Sequence, residues 1–129
     1  MLAVAGLAVA VLGAYGNAAR TAAVTARDRG GTLDCSQLEA LWESADGSPA
    51  AAFTAAEIAE AESSGRQYAT DEDSDGTVDR GYWQINSSHG PLSTFGAYGN
   101  ARAAVLISAD GTDWNPWTTY RTGAYAGRC

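Results

Sequence analysis

The chain has 129 residues, which is the length of one compact domain. Hydrophobic residues make up 46% and charged residues 18%, a balance that fills a core and excludes an intrinsically disordered chain. The net charge is −7, and every basic side chain is Arg because the sequence contains no Lys. Such a surface is repelled by phosphate backbones and anionic lipid headgroups, so nucleic acid and anionic membrane surfaces are excluded as electrostatic partners.

The N-terminal part differs in composition from the rest. Residues 2–12 form an uncharged run of Ala, Val, Leu and Gly, and a Thr/Ala/Arg/Gly-rich linker follows it to Gly30-Gly31. The run resembles the apolar part of a secretory signal, lacks the positive n-region, and is short for a membrane span. Residues 1–31 are therefore expected to hold either a signal peptide or short anchor, or a helix buried at an interface. Residues 1–16 are a possible tether to a membrane or a larger assembly.

The remaining residues predict helices around one β-hairpin. Asp34 is placed to cap a first helix, and Ser48-Pro49 is a start signal for an Ala-rich second helix that closes at Ser64-Gly65. The Tyr, Thr, Val, Trp and Ile residues after it, broken by Asp75-Gly76, are typical of a hairpin with a tight turn. The predicted order is helix at 35–44, helix at 49–64, hairpin at 67–86, helix at 101–109 and an aromatic tail from 114 to 125.

Two cysteines, Cys35 and Cys129, open and close this region. A disulfide between them would link the two ends of the domain and would indicate a location outside the reducing cytosol. The alternative is two free buried thiols, since spacing alone does not prove pairing.

Glu62 has an unusual position on the second predicted helix. At 100° per residue it lies at the centre of the apolar stripe, whereas Glu57 and Glu60 fall on the solvent side. A carboxyl group that faces the core loses hydration, which raises its pKa and makes it a proton donor at neutral pH. The alternative is a Glu at a frayed helix end that swings into water.

Asp79 follows Glu62 by seventeen residues. The full pattern is Glu-Ser at 62–63 and then Asp-Gly-x-x-Asp-x-Gly-x-x-Gln-Ile-Asn-Ser at 75–87. This pattern resembles the active-site segment of the lysozyme superfamily, both animal-type lysozymes and the soluble-lytic-transglycosylase-like enzymes of bacteria. The resemblance covers roughly residues 34–129 and is strongest over 62–87.

The resemblance implies an α+β, lysozyme-like fold in which a helical body and a small antiparallel β-hairpin flank a substrate cleft. It implies that residues 32–129 are the catalytic domain, that the substrate is a peptidoglycan glycan strand, and that no cofactor takes part. Glu62 matches the general acid that protonates the glycosidic oxygen, and Asp79 matches the second carboxylate, which supports the oxocarbenium-like sugar in hydrolytic members.

Further residues are expected to meet the substrate. Gln84 and Asn86 match strand residues whose amides face the cleft and the second carboxylate. Trp83 has two readings, a core residue or a stacking face for a sugar. In the aromatic tail, Trp114 is expected to wall the pocket around Glu62, and Tyr120 is expected on the substrate side.

The reaction class stays open between alternatives. Asp79 favours hydrolysis of the bond between N-acetylmuramic acid and N-acetylglucosamine; a lytic transglycosylase, which forms a 1,6-anhydro end, needs no second carboxylate. A non-catalytic glycan-binding or structural component of a wall-penetrating assembly is the third possibility. The expected location is extracytoplasmic, secreted or membrane-anchored, or else in a phage or secretion-type assembly.

A metal site competes for the same turn. Asp71, Asp73 and Asp75 imitate the first half of an EF-hand loop, but Tyr82 stands where the bidentate Glu belongs, so no metal is expected. His89, the only histidine, is interpreted as a loop residue.

Overall fold

The computed structural model describes residues 31–129, and within that range the chain forms helices and one small, partly exposed sheet. The helices are α1 (Cys35–Ser44), α2 (Ala52–Ser63), α3 (Ala97–Ile107) and α4 (Thr118–Arg121), with 3₁₀ turns at Pro49–Ala51 and Ser87–Leu92. The strands are β1 (Thr70–Glu72), β2 (Val78–Arg80) and β3 (Ile85–Asn86), which form one antiparallel sheet in the order β1-β2-β3. The predicted α+β class is confirmed.

The prediction for residues 1–31, including the tether at 1–16, lies outside the described residues except for Gly31. From residue 31 to residue 129, no helix combines the length and the apolar character needed to cross a membrane.

Helix α2 carries Glu62 in its last turn. Pro49 begins a 3₁₀ turn, and the α-helix starts at Ala52, three residues later than predicted. The helix stops at Ser63 because Ser64 is left-handed (φ 54°) and Gly65 follows with φ 71°. A Cβ at Gly65 would lie 2.1 Å from the Leu33 carbonyl oxygen, so this turn admits only glycine. The tight stop therefore leaves Glu62 in the last turn of the helix, beside the Leu33 backbone that Gly65 contacts.

The predicted hairpin is a three-stranded sheet. The turn at Asp75-Gly76 is confirmed: the Asp73 amide donates to the Thr77 carbonyl at 2.8 Å, and Gly76 has a φ of 84°. The added strand is β3, which returns alongside β2. Its register pairs Asp79 with Asn86, while β1 pairs Asp71 with Asp79. Asp79 therefore lies on the central strand, between an acid and an amide.

Asn100 joins α3 to the sheet. Helix α3 begins at Ala97, earlier than the predicted residue 101, and so includes this fully buried side chain. The Asn100 amide nitrogen donates to the carbonyls of Arg80 (2.8 Å) and Thr94 (2.9 Å), and its oxygen accepts from the Trp83 amide (2.9 Å). Every polar atom of this buried amide thus has a partner, which fixes the turn between β2 and β3.

Four tryptophans form a continuous chain of ring contacts through the core. Trp42 packs against Trp83 and Trp114 with ring centroids 6.3 and 5.5 Å apart, and Trp114 packs against Trp117 at 5.0 Å. The indole N–H groups that reach across the core have hydrogen-bond acceptors: Trp83 donates to the Ala55 carbonyl and Trp117 donates to the Trp83 carbonyl. The core therefore extends under residues 114–129, which we call the C-terminal segment.

The C-terminal segment is attached to both long N-terminal helices. Cys129 forms the predicted disulfide with Cys35 at the start of α1. The Gly127 amide donates to Glu57 of α2 at 2.8 Å, and Glu57 is only 6% exposed. The prediction that Glu57 faces solvent is therefore wrong. Helical periodicity marks the faces of one helix and carries no information on a distant segment that covers them.

Candidate active site

One cleft of about 410 Å³ lies between the end of α2, the sheet and the start of α4. It contains the two carboxyl groups singled out from the sequence, Glu62 and Asp79. The full lining is Glu62, Asp71, Asp73, Asp79, Gln84, Ile85, Asn86, His89, Ile107, Pro116, Trp117 and Thr118. A polar trough with several carboxyl groups and one indole wall offers hydrogen-bond partners and a stacking surface to a hydroxyl-rich chain.

Glu62 lies at the α2 side of the cleft and is partly buried. Burial raises its pKa from 4.5 to about 7, and the charges of Asp79 and Asp71 act in the same direction. The Thr119 hydroxyl donates to Oε1 at 3.1 Å, which favours the ionised form and opposes this rise. The net result is a carboxyl group that is substantially protonated near neutral pH. Such a group can donate a proton.

Asp79 lies in a wetter and more acidic environment. The pKa of its carboxyl group is raised overall, and the hydrogen bond that Oδ1 accepts from the Asn86 amide at 2.9 Å opposes this rise. Partial burial is the larger effect and raises the pKa, with further rises from the charges of Asp73 and Asp71. The two carboxyl groups of the cleft are thus perturbed by different neighbours.

Asn86 organises the acids of the sheet. Its amide nitrogen faces Asp79 Oδ1 (2.9 Å), Asp73 Oδ2 (3.0 Å) and the Thr77 hydroxyl (2.9 Å). Its oxygen accepts from the Ser88 amide, which caps the following 3₁₀ turn. Asn86 therefore contacts the second carboxyl group, and its amide is already engaged within the protein.

Gln84 also lines the cleft, and the protein holds it in an uncommon backbone conformation. Its φ is 48°, and its amide nitrogen donates to the carbonyls of Ala69 (2.8 Å) and Gly81 (2.9 Å). The Gln84 amide nitrogen is thus engaged within the protein at the wall of the cleft.

The aromatic residues are distributed differently from the prediction. Trp83 is fully buried, so it has no face to offer a sugar and belongs to the core. Trp114 is 5% exposed and borders a second cavity of about 370 Å³ behind the cleft, as does Tyr120. The structure thus places Trp114 and Tyr120 outside the lining of the cleft that contains Glu62. Trp117, three residues after Trp114, is the indole that lines the cleft with Glu62.

Thr119 was missed because no local signal marks it. The C-terminal segment has no apolar period, so the sequence did not show which of its side chains face α2. The nearest usable signal is Trp-Asn-Pro-Trp at 114–117, which shows that two indoles are held close to a chain reversal.

The acidic residues around the turn between β1 and β2 are arranged differently from the half EF-hand loop considered from the sequence. Carboxylate oxygens of Asp71, Asp73 and Asp79 lie within 4.8 Å of one another. Asp75 is outside this group: it accepts from the backbone and hydroxyl of Thr77, which lowers its pKa. Of the alternative metal-binding set considered from the sequence, Asp71 and Asp73 lie in this cluster and Asp75 does not. Asp79 stands in its place. The prediction of a loop position holds for His89, which lies in a 3₁₀ turn and borders the cleft.

A family model described as a lysozyme-like domain matches residues 39–119, more than half of the chain. The chain belongs to the lysozyme-like domain family. The match spans the helices and strands that carry both cleft carboxyl groups, and it confirms the resemblance drawn from the sequence. Searches of curated proteins and of solved structures returned no match.

Membership of the lysozyme-like domain family indicates a general function, cleavage of glycan chains in peptidoglycan by a glycosidase or transglycosylase. A wall polymer as substrate and a disulfide between Cys35 and Cys129 together indicate work outside the reducing cytosol.

Proposed function

We propose that this lysozyme-like domain cleaves the β-1,4 bond between N-acetylmuramic acid and N-acetylglucosamine, with Glu62 as general acid and Asp79 as second carboxylate. The observation that carries the proposal is the placement of both carboxyl groups in one cleft, with the pKa of Glu62 raised to about 7 by burial. A glycosidase needs such a pair in unlike environments, one protonated and one ionised.

Each group has a distinct task in this reaction. Protonated Glu62 gives its proton to the glycosidic oxygen as the bond to the anomeric carbon breaks. Asp79, held by Asn86, supports the positive charge that develops on the sugar ring. Water then completes hydrolysis, with Glu62 acting as the base that accepts a proton from it.

A lytic transglycosylase is the second candidate, and one observation favours it. Asp79 shares its surroundings with Asp73 and Asp71, and burial and these charges raise its pKa. A carboxyl group that is less readily ionised is a weaker support for a cationic sugar. In a transglycosylase the C6 hydroxyl of muramic acid attacks the anomeric carbon, and Glu62 alone donates and accepts the protons.

We further infer that wall affinity depends on tethering, through residues 1–16 or through a larger assembly such as a phage or secretion-type apparatus. The chain carries a net charge of −7, and several carboxyl groups line the cleft. Electrostatic attraction to an anionic cell wall is therefore absent.

Product analysis tests the proposed function. The full chain with its disulfide intact is incubated with purified peptidoglycan, and the soluble fragments are identified by mass spectrometry. We expect fragments with reducing ends. Glu62→Gln should release at least about 100-fold less product, because an amide cannot donate the proton. Glu60→Gln, on the same helix but outside the cleft, is the matched control and should keep activity.

Two other outcomes would change the assignment. Fragments with 1,6-anhydro ends, again lost in Glu62→Gln, would establish the transglycosylase. A folded wild-type chain that binds peptidoglycan and releases nothing would leave a glycan-binding or structural component.

A further inference from the structure

The hydrogen bond to Glu62 comes from a part of the chain 57 residues away. Thr119 donates its hydroxyl hydrogen to Glu62 Oε1 at 3.1 Å from the second residue of α4. Asp71 and Asp79, which face Glu62 from β1 and β2, are acids and cannot donate to it when ionised. Among the described residues, Thr119 is thus the side-chain donor to Glu62.

The backbone on both sides of Thr119 is held in place. Just before it, the Trp117 indole donates to the Trp83 carbonyl at 2.8 Å and packs against Trp114. Just after it, the Tyr125 amide donates to the Thr119 carbonyl at 3.2 Å. A hydroxyl on a supported backbone can orient the group that it contacts, whereas a mobile one cannot.

We propose that Thr119 is a positioning residue that orients the Glu62 carboxyl group by holding Oε1, so that Oε2 carries the proton to the glycosidic oxygen. This inference rests on the proposed function of Glu62. In a protonated carboxyl group one oxygen accepts and the other donates. Because Thr119 occupies Oε1 as a donor, the acidic hydrogen lies on Oε2.

The contact has an electrostatic consequence that a purely structural role lacks. A donor to a carboxylate stabilises its ionised form, so loss of the Thr119 hydroxyl should move the pKa of Glu62 further upward. The cleft groups that also act on this titration are Asp71 and Asp79 on the sheet, and His89 lies at the rim. None of them is altered by a change at position 119.

Three variants of the full, disulfide-bonded chain test the proposal. Thr119→Val keeps the shape and removes the hydroxyl, and Thr119→Ser keeps the hydroxyl. Thr122→Val is the matched control, because Thr122 is exposed at the end of α4 and outside the cleft. The measurements are kcat and KM on peptidoglycan over a range of pH, and NMR titration of the Glu62 carboxyl carbon.

We expect Thr119→Val to lower kcat by about 10- to 100-fold with little change in KM, since misorientation of a catalytic group affects the chemical step. The alkaline fall in activity and the NMR titration of Glu62 should both move to higher pH. Thr119→Ser should restore both, and Thr122→Val should match the wild type.

Two results would overturn the role of Thr119 and leave the proposed function standing. One is a Thr119→Val enzyme with wild-type kcat and an unmoved Glu62 titration while Glu62→Gln is inactive. The other is an equal loss in Thr119→Val and Thr119→Ser with no shift in titration, which is the signature of a structural role. If the wild type itself releases no product, the proposed function fails, and the NMR titration still decides whether Thr119 holds the carboxyl group.

Discussion

The two carboxyl groups of the cleft lie on elements of opposite character. Glu62 ends a helix that packs into the tryptophan core, and a neutral hydroxyl is its hydrogen-bond partner. Asp79 lies on the middle strand of a small, partly exposed sheet among other acids and one amide. Burial dominates at Glu62, and a balance of burial, Asn86 and like charges decides the state of Asp79. The cleft thus contains one carboxyl group whose pKa is set mainly by burial and one in a more hydrated, acidic environment. We call Glu62 the dry acid and Asp79 the wet acid.

Each carboxyl group depends on a different region of the molecule. The dry acid depends on the C-terminal segment, which supplies Thr119 and the Trp117 wall. The wet acid depends on the local register of three short strands, which brings Asn86 beside it. A change that loosens one region without altering its charges should therefore act mainly on the carboxyl group of that region, because the two acids are coupled through their charges.

The largest loss of activity among these predictions is expected on removal of the Asp79 carboxyl group. Asp79→Asn should lower hydrolytic turnover by about 100-fold or more while substrate binding persists, because the charge that supports the sugar cation is lost. Turnover and binding on peptidoglycan are the measurements. Asp79→Ala accompanies it, because the Asn side chain would bring a second amide against Asn86.

Asp75→Asn is the matched control for this change. Asp75 lies in the turn that precedes β2 and does not line the cleft, and its Asn replacement keeps an oxygen that can accept from Thr77. It should retain turnover. Full activity of both Asp79 variants, with 1,6-anhydro products, would show that the cleft works with the dry acid alone.

Removing the disulfide between Cys35 and Cys129 should affect the C-terminal segment more than the sheet. Cys35→Ser with Cys129→Ser should lower the free energy of unfolding by about 3 to 4 kcal/mol, because the bond closes a long loop in the unfolded chain. Urea unfolding measures the loss. As the C-terminal segment loosens, the pKa of Glu62 should fall toward its ordinary value, while NMR signals of the sheet around Asp79 stay in place. Unchanged stability would contradict this role of the bond.

The smallest expected change is in the pH dependence of the unfolding free energy, to which the titration of Glu62 contributes. The pKa of Glu62 is raised in the folded state, so the stability that its proton contributes is fully present below about pH 4.5 and is lost as pH rises through about 7. Glu62→Gln does not titrate. It should therefore match the wild type at pH 4 and exceed its unfolding free energy by on the order of 2 kcal/mol at pH 8.5, after discounting for partial exposure.

Urea unfolding at both values of pH measures this difference. Glu43→Gln, at an exposed position on α1, controls for the loss of one charge. A difference between Glu62→Gln and the wild type that is independent of pH would mean that Glu62 is as hydrated in the folded protein as in the unfolded chain.

Local signals predicted much of this arrangement. Asp34 forms the expected cap with Gln37 at the start of α1, and the stop at Ser64-Gly65 ends α2 one turn beyond the core. The inward position of Glu62 came from periodicity alone, and the turn at Asp75-Gly76 came from turn chemistry. These features depend on residues close together in sequence, which is why they could be predicted.

Three of the missed features depend on the C-terminal segment. Burial of Glu57, the use of Trp117 in place of Trp114 on the cleft wall, and the contact of Thr119 each require knowledge of how residues 114–129 pack. That segment is a series of turns with one short helix, so it has no period from which a face can be read. Tertiary contacts decide its side-chain directions.

The distance in sequence between Glu62 and Thr119 also sets an order of events during synthesis. A ribosome delivers α2 and the sheet well before residues 117–119 leave its exit tunnel. Until then, the Glu62 carboxyl group is exposed to water, titrates as an ordinary glutamate and carries a negative charge at neutral pH. If Glu62 is the proton donor that we propose, the nascent chain holds its two acids before that donor has formed, and catalytic competence arrives only when residues 114–129 dock.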